Sequence, residues 1–205
     1  MTPVTGRRTQ AERRTATRSA LVRATVDCLV ELGYARTTTQ EVQSRAGVSR
    51  GALTHHFTTK ADLVLAAMDH LYGEFSENVR TAAAELPDDP AARIRLGIAL
   101  IWARFHGPLF VASMELWTAA RTDPELRDAL LPHERRLGAQ LRELSVEVFG
   151  EQVARHPASE AVYQVLLTSM RGQALTYSLQ PGAPRDGQFV QHWQAIVDAV
   201  TPTDA

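Results

Sequence analysis

The stretch that decides the fold spans residues 37–57 and reads TTTQEVQSRAGVSRGALTHHF. It predicts two short helices joined by a tight turn. Thr38 followed three residues later by Glu41 is a capping-box pattern, which marks the start of the first helix. Gly47 ends that helix, because the residue after a helix often adopts a positive φ, and Ser49 offers a hydroxyl that caps the second. The predicted arrangement is a helix-turn-helix.

The two faces of this motif differ in character. Its apolar side chains are Val42 and Ala46 in the first helix, followed by Val48, Leu53 and Phe57, and these form the inward face. The second helix turns small, polar and basic residues toward solvent, namely Arg50, Gly51, Thr54 and His55. Such a surface suits the major groove of DNA, where a guanidinium can bond two acceptors of one guanine. Arg50 is therefore the best candidate for base discrimination.

The charge distribution agrees with a polyanionic partner. The formal net charge is −1, but residues 1–60 hold ten Arg or Lys against four Asp or Glu, which leaves twelve against nineteen in the remainder. The two parts therefore carry +6 and −7. Thr59 and Asp62 predict a further capping box, which places Lys60 in the first turn of the next helix, where it can meet a phosphate.

Composition favours a soluble globular protein. The chain has 205 residues, of which 44% are hydrophobic and 22% charged, enough for one large domain or two small ones. Its single cysteine, Cys28, cannot form an internal disulfide, and its place on an apolar helical stripe indicates a core residue. No signal-peptide pattern or apolar run of about 20 residues is present, so we expect a cytoplasmic protein without membrane attachment.

Helical periodicity runs through the rest of the chain, and no strand alternation interrupts it. The predicted fold class is all-α with about nine helices. Residues 1–13 read as a flexible basic arm, either an ordinary frayed terminus or an arm that adds phosphate or minor-groove contacts. Outside the motif, the predicted helices cover residues 14–32, 61–85, 91–106, 109–121, 124–149, 158–180 and 187–200.

Catalytic and metal-binding patterns are missing from the sequence. His55 and His56 are adjacent, and neighbouring side chains on a helix point about 100° apart, so the pair cannot close on one ion. No nucleophile elbow, phosphate loop, dinucleotide fingerprint or zinc-protease motif occurs. We therefore expect neither catalytic residues nor a metal or other cofactor.

An aromatic cluster marks the second part of the chain. It surrounds the helix break at Gly107-Pro108 and consists of Trp102, Phe105, Phe110, Met114 and Trp117. A helix break beside aromatic residues can open a cavity, although ordinary core packing explains such a cluster equally well. If it is a pocket, its polar contacts would come from His106, Glu115 and Gln173. Helical spacing puts Met170, Gln173 and Tyr177 on one face of a later helix, which would complete the wall.

The last two predicted helices carry apolar faces that suit a partner. Val162, Leu166 and Ser169 lie on one face of the first, and Phe189, Trp193 and Ile196 lie on one face of the second. Two such helices from each subunit would form a four-helix dimer interface. The alternative is that these residues belong to the core of one subunit.

Beyond these patterns, the N-terminal third resembles the tetracycline-repressor (TetR) family of transcriptional regulators. The resemblance rests on the helix-turn-helix, on Leu32-Gly33-Tyr34 before it, and on Gly51-x-Leu53-x-x-His56-Phe57 followed by Lys60-x-x-Leu63. It implies a DNA-binding domain over residues 14–73 and an effector-binding and dimerisation domain over residues 74–205. It also implies a homodimer on a palindromic double-stranded DNA operator.

The resemblance also assigns roles within the motif. Positions from which the family reaches base edges correspond to Gln40, Arg50, Gly51, Ala52 and Thr54. Its phosphate-contact positions correspond to Thr39, His55, His56 and Lys60. The chain departs from the common pattern at Thr54, where many members have tyrosine, and this departure bears on the operator sequence.

Together these features predict a ligand-responsive DNA-binding transcriptional regulator, a repressor released by a small apolar or aromatic effector. Two alternatives within the class are an activator and an effector-independent DNA-binding protein. The alternative outside it is an α-helical enzyme or small-molecule carrier that uses the cavity near Trp102 and His106.

Overall fold

A computed structural model describes residues 9–179 and 188–200, without the side chains of residues 197–200. The described residues form ten helices and no strand, which confirms the predicted all-α class. In chain order they are α1 (Gln10–Leu32), α2 (Thr39–Ala46), α3 (Arg50–His56), α4 (Lys60–Ala83), α5 (Pro90–Arg104), α6 (Pro108–Ala120), α7 (Pro124–Phe149), α8 (Glu151–Ala154), α9 (Ser159–Ser178) and α10 (Gln188–Val200).

Two boundaries differ from the sequence prediction. Helix α1 starts at Gln10 because Thr9 and Glu12 form a reciprocal capping box, so the predicted arm over residues 1–13 overlaps the first turn of this helix. Residues 1–8 of that arm lie outside the described part of the chain. The four-residue helix α8 was not predicted, and no side chain caps its start.

The chain divides into two compact units. The first contains Met1–Tyr72 and Val111–Glu134, and the second contains Gly73–Phe110 and Arg135–Ala205. Across the described residues, no single helix is long and apolar enough to cross a membrane; α5 and α6 reach that standard only when taken together.

The core of the first unit packs the helix-turn-helix against α1 and α4. Its members are buried apolar side chains: Leu21, Val22, Ala24, Cys28, Val42, Leu53, Phe57 and Leu63. Cys28 is fully buried, as its helical stripe predicts, and burial raises the pKa of its thiol. Removing a side chain of this kind from a close-packed core costs about 2–5 kcal/mol, so this core fixes the motif.

In the second unit, a glycine allows two helices to approach closely. A Cβ atom at Gly97 of α5 would lie 2.8 Å from Phe149 Cε1 and 2.9 Å from Val148 Cγ1 in α7. Arg93 strengthens the same contact, because its guanidinium donates to the carbonyl oxygens of Val148 and Glu147 at 2.8 Å each. These bonds satisfy carbonyl groups at the end of α7 that have no partner within the helix.

Candidate nucleic-acid interface

The turn of the helix-turn-helix has the geometry that its sequence predicts. Gly47 adopts the left-handed conformation with φ 65° and ψ 33°, and its N–H faces the carbonyl oxygens of Gln43 and Ser44. The hydroxyl of Ser49 accepts a bond from the N–H of Ala52 at 3.2 Å, which caps α3. These local signals therefore shape the turn between α2 and α3.

The two predicted capping boxes differ in detail. The Thr38 hydroxyl accepts from the N–H of Glu41 at 3.1 Å, but the Glu41 carboxylate pairs with Arg45. The Thr59 and Asp62 box is reciprocal, with bonds of 2.9 and 3.0 Å. The two caps fix the starts of α2 and α4 at the predicted DNA-binding surface.

Arg45 braces the motif from outside. Its guanidinium contacts Glu41 of its own helix at 2.7 Å and Glu31 of α1 at 2.6 Å, and these bonds raise its pKa. No local pattern predicts the contact with Glu31, since the two residues are 14 positions apart. The brace ties α2 to α1 and keeps α2 in position behind the recognition helix.

The predicted DNA-facing residues divide by exposure. The exposed members are Thr39, Gln40, Arg50, Gly51, Thr54 and His55, whereas Ala52, His56 and Lys60 are half-buried. Gly51 has open space around it: a Cβ atom there would meet nothing within 4 Å. Its φ is not positive, so neither packing nor backbone conformation in this chain requires glycine at this position. The Thr54 hydroxyl lies 3.2 Å from the carbonyl oxygens of Arg50 and Gly51 and bonds within its own helix.

Two arginines of α1 extend the basic surface, and the sequence interpretation did not single them out. The guanidinium carbon of Arg18 lies 5.4 Å from the centre of the Phe57 ring, next to the end of α3. Burial lowers the pKa of the His56 imidazole, and the charges of His55, Arg14 and Arg18 lower it further. The spacing of Arg14 and Arg18, one helical turn apart, is the signal that would have identified them.

Lys60 has partners inside the protein. Its Nζ donates to the carbonyl oxygen of Tyr34 at 2.8 Å and lies 3.6 Å from the centre of the Tyr34 ring. Burial lowers the pKa of the ammonium group, while the nearby Asp123 opposes this change. The sequence analysis predicted that Lys60 contacts a DNA phosphate. In the structure its ammonium group instead contacts the carbonyl oxygen and ring of Tyr34.

The predicted effector residues separate into two groups. Six of them, Trp102, Phe105, His106, Phe110, Met170 and Tyr177, come together in the second unit. At their centre, Trp102 is 2% exposed and stacks on Phe189 with ring centres 4.2 Å apart. Gln173 is half-buried on α9 in the same unit, whereas Met114 and Trp117 belong to the first unit.

Glu115 does not lie with the predicted effector residues of the second unit, where the sequence analysis expected it to supply a polar contact. Its Oε2 accepts a bond from the main-chain N–H of Tyr34 at 2.8 Å, within the first unit. The contact joins residues 81 positions apart, and no local pattern predicts it.

The structure corrects four of the six residues predicted for the dimer interface. Leu166, Phe189 and Trp193 are 7–9% exposed and belong to the core of the second unit. Ser169 also acts internally, since its hydroxyl accepts a bond from Trp193 Nε1 at 3.1 Å. Leu166 and Ser169 of α9 meet Phe189 and Trp193 because this face of α9 packs against α5 and α10 of the same chain.

Another apolar face of α9 and α10 is exposed. Val162 and Ile196, which were predicted for the interface, are 52% and 49% exposed. Val165, Leu175 and Leu179 of the α9 segment are 59%, 44% and 78% exposed. A helical face with this much accessible apolar surface is typical of an interaction site.

The fold and the exposed basic face of α3 define a helix-turn-helix transcriptional regulator. Comparison with known proteins agrees: residues 21–67 match the family model described as "Bacterial regulatory proteins, tetR family". The HTH-type transcriptional regulator CymR of Pseudomonas putida is 34% identical over 170 residues, which cover 82% of this chain and 83% of that protein. The chain belongs to the TetR family.

Further relatives cover nearly the whole chain. An uncharacterised HTH-type transcriptional regulator of Mycobacterium tuberculosis is 27% identical over 94% of this chain and 98% of its own length. The crystal structure of the multidrug-binding protein EbrR in complex with imidazole has a TM-score of 0.64 and 23% identity, and each chain covers 100% of the other. The family consists of DNA-binding transcriptional regulators and is non-enzymatic, so the chain is a regulator and the enzyme alternative is set aside.

Proposed function

We propose that this regulator binds a palindromic operator as a homodimer, represses transcription there, and is released by a small apolar or aromatic effector in the cytoplasm. The observation that carries the DNA part is the exposed face of α3, where Arg50 stands beside a glycine that the chain's own packing does not require. Glycine inside a helix costs about 1 kcal/mol relative to alanine. Close approach to DNA supplies a reason for that cost.

Within this interface, Arg50 reads a guanine and Gln40, Ala52 and Thr54 line the same groove. Thr39, His55 and His56 contact phosphates. Arg14 and Arg18 add two positive charges beside the end of α3, where the helix dipole alone would repel a phosphate. The excess of +6 in residues 1–60 supports the same surface.

The dimer uses the exposed face of α9 and α10. Val162, Val165, Leu175, Leu179 and Ile196 supply its apolar contacts, in place of the buried residues Leu166, Phe189 and Trp193. Two subunits read two half-sites, which doubles the number of base pairs that one short helix can read.

The effector site lies around Trp102 in the second unit. Phe105 and Tyr177 are half-buried next to Trp102, and Phe110 packs against Phe105. His106 stands edge-on to Trp102 with ring centres 4.4 Å apart. Aromatic walls with a few polar groups favour an uncharged aromatic ligand over a highly charged one. The related fold of EbrR has been solved with imidazole, which supports a ligand site in this architecture.

The deciding experiment is fluorescence anisotropy with labelled DNA that flanks the gene, over a salt series and with unrelated DNA as competitor. Salt-dependent, competitor-resistant binding by two subunits per site supports the proposal. Binding that competitor DNA removes equally well contradicts operator recognition at that site, and selection from random DNA then tests for an operator elsewhere.

The same assay then tests the effector with three probes, namely uncharged aromatic compounds, a long-chain acyl compound and choline. Release by the aromatic class alone, and loss of that response in Trp102→Ala, supports the pocket. A response that survives Trp102→Ala contradicts it. A promoter–reporter fusion, read with and without the gene, separates repression from activation.

A further inference from the structure

The main chain of Tyr34, in the loop between α1 and α2, is held from two sides. Its N–H donates to Glu115 Oε2 of α6 at 2.8 Å, and its carbonyl oxygen accepts a bond from Lys60 Nζ of α4 at 2.8 Å. The Lys60 ammonium also lies 3.6 Å from the centre of the Tyr34 ring. We call these two bonds, from Glu115 and from Lys60 to the Tyr34 main chain, the Tyr34 clamp. Bonds to charged groups are roughly twice as strong as neutral ones, so this clamp is stronger than an ordinary loop contact.

The preceding residue is shaped to admit the carboxylate. Gly33 has φ 77°, and a Cβ atom built on it would lie 2.5 Å from Glu115 Oε2. Only glycine therefore combines this backbone conformation with so close an approach. The Leu32-Gly33-Tyr34 segment ends α1 and at the same time forms the receiving site for Glu115.

The clamp connects directly to the start of α2. The N–H of Thr37 lies 3.2 Å from the carbonyl oxygens of Gly33 and Tyr34, and its hydroxyl donates to the Gly33 oxygen at 2.8 Å. Thr37 is 1% exposed, and the next residue, Thr38, caps α2. The position of the Tyr34 peptide therefore determines where the helix-turn-helix begins.

The clamp also reaches the other end of the motif. Lys60 is the first residue of α4, four positions after α3 ends at His56. The residue is half-buried, and its ammonium group already has the Tyr34 carbonyl and ring as partners. Leaving these partners for a phosphate would expose the Tyr34 carbonyl and break the loop contact.

We propose that Glu115 and Lys60 are positioning residues that hold the helix-turn-helix for operator binding through the Tyr34 peptide, and that Lys60 does not contact phosphate. Through Glu115 the clamp links α6 directly to the DNA-binding helices. The same helix also carries Phe110, Met114 and Trp117. This inference rests on the proposed operator binding. It adds a specific hydrogen bond, from the Tyr34 N–H to Glu115, through which a change in α6 alters the position of the helix-turn-helix.

The test compares operator affinity of Glu115→Ala and Glu115→Gln with that of Glu143→Ala. The control removes the same charge from an exposed residue of the second unit. Loss of a negative charge by itself strengthens DNA binding. The clamp predicts the opposite sign, with Glu115→Ala about tenfold weaker than the control, within the usual range of coupling between sites. Glu115→Gln keeps most of the affinity, because its amide oxygen accepts the same bond.

A second measurement reports the clamp without DNA. Hydrogen exchange of the Tyr34 amide, followed by NMR, should be slow in the wild type and in Glu115→Gln and at least tenfold faster in Glu115→Ala. Thermal unfolding identifies any variant that has lost its fold, and Glu115→Gln then carries the comparison. Glu115→Ala binding as tightly as the control overturns the proposal, whether or not the Tyr34 amide exchanges faster.

Lys60 has its own readout. Lys60→Met should weaken operator binding with an unchanged dependence on salt concentration. If Lys60 contacts phosphate, the slope of log affinity against log salt should fall by about 0.9 for each subunit, and that result overturns the positioning role. Absence of operator binding in the wild type would instead contradict the proposed function, while Tyr34 exchange still reports the clamp.

Discussion

The guanidinium of Arg18 lies over the ring of Phe57, with 5.4 Å between its central carbon and the ring centre. Phe57 follows the last residue of α3 and is buried in the core of the first unit, whereas Arg18 is exposed on α1. The stacked ring limits the freedom of the arginine side chain and keeps its charge beside the end of the recognition helix. Helix α1 thus contributes a cation to the surface that α3 presents.

Arg18→Ala should weaken binding to operator and to unrelated DNA by similar factors, since a phosphate contact carries no sequence information. The slope of log affinity against log salt should fall by about 0.9 for each subunit. Fluorescence anisotropy over a salt series measures both effects. Arg155→Ala, which removes an exposed arginine of the second unit, is the control. An unchanged slope for Arg18→Ala would exclude the phosphate contact.

The same arginine should be visible in the titration of His56. Burial, His55, Arg14 and Arg18 together lower the pKa of the His56 imidazole below its ordinary value of 6.5. The unfolded chain therefore binds the proton more readily, so the contribution of His56 to stability is fully present above pH 6.5 and is lost as the pH falls below 6.5 and through the lower pKa of the folded protein. NMR titration should give a midpoint below 6.5 that rises in Arg18→Ala. Bound DNA should raise it further, and an identical midpoint in free protein, variant and complex would contradict this account.

Local signals predicted the motif correctly because its geometry is encoded within a few residues. Gly47 adopts the left-handed conformation, and Thr38, Ser49 and Thr59 all cap helices as expected. Helical periodicity likewise found nine of the ten described helices. The short helix α8 escaped because it has no cap and spans less than two turns.

The contacts that distinguish this chain could not be predicted in the same way. Glu115 and Tyr34 meet across 81 residues, and nothing near either position signals the other. Helix α9 shows a different difficulty, because both of its faces carry apolar residues. Periodicity recognises the stripe through Leu166 but not whether it faces this chain or a partner. Burial places Leu166 inside and leaves Val165 exposed.

Gly97 should be intolerant of even one added methyl group. A Cβ atom there would lie 2.8 and 2.9 Å from Phe149 and Val148, which are themselves packed in the second unit. Gly97→Ala should lower the free energy of unfolding by about 1–3 kcal/mol, the usual cost of overpacking. Urea denaturation measures the change. Gly138→Ala is the matched control, because a Cβ atom at that helical position meets nothing within 4 Å and should stabilise the protein. Equal stability of the two variants would refute the close approach of α5 and α7.

Arg50 should act on sequence discrimination more than on overall affinity. Arg50→Ala should cost about 1–3 kcal/mol on the operator and relax the preference at one base pair of each half-site, because a bidentate contact to guanine is lost. Anisotropy against operators substituted one position at a time measures this. A uniform loss on every sequence would assign Arg50 to a phosphate.

Gly51→Ala should change the free energy of unfolding and the operator affinity in opposite directions. The residue is the second of α3 and has open space around it, so Gly51→Ala should raise the free energy of unfolding by up to about 1 kcal/mol through helix propensity. The added methyl group points toward the surface where DNA is proposed to bind, so operator affinity should fall at the same time. Gly138→Ala, which should gain similar stability, should leave operator affinity unchanged. Thermal unfolding and anisotropy on the same samples measure the pair of effects, and a Gly51→Ala variant that binds the operator as tightly as the wild type would show that α3 does not approach DNA closely at this position.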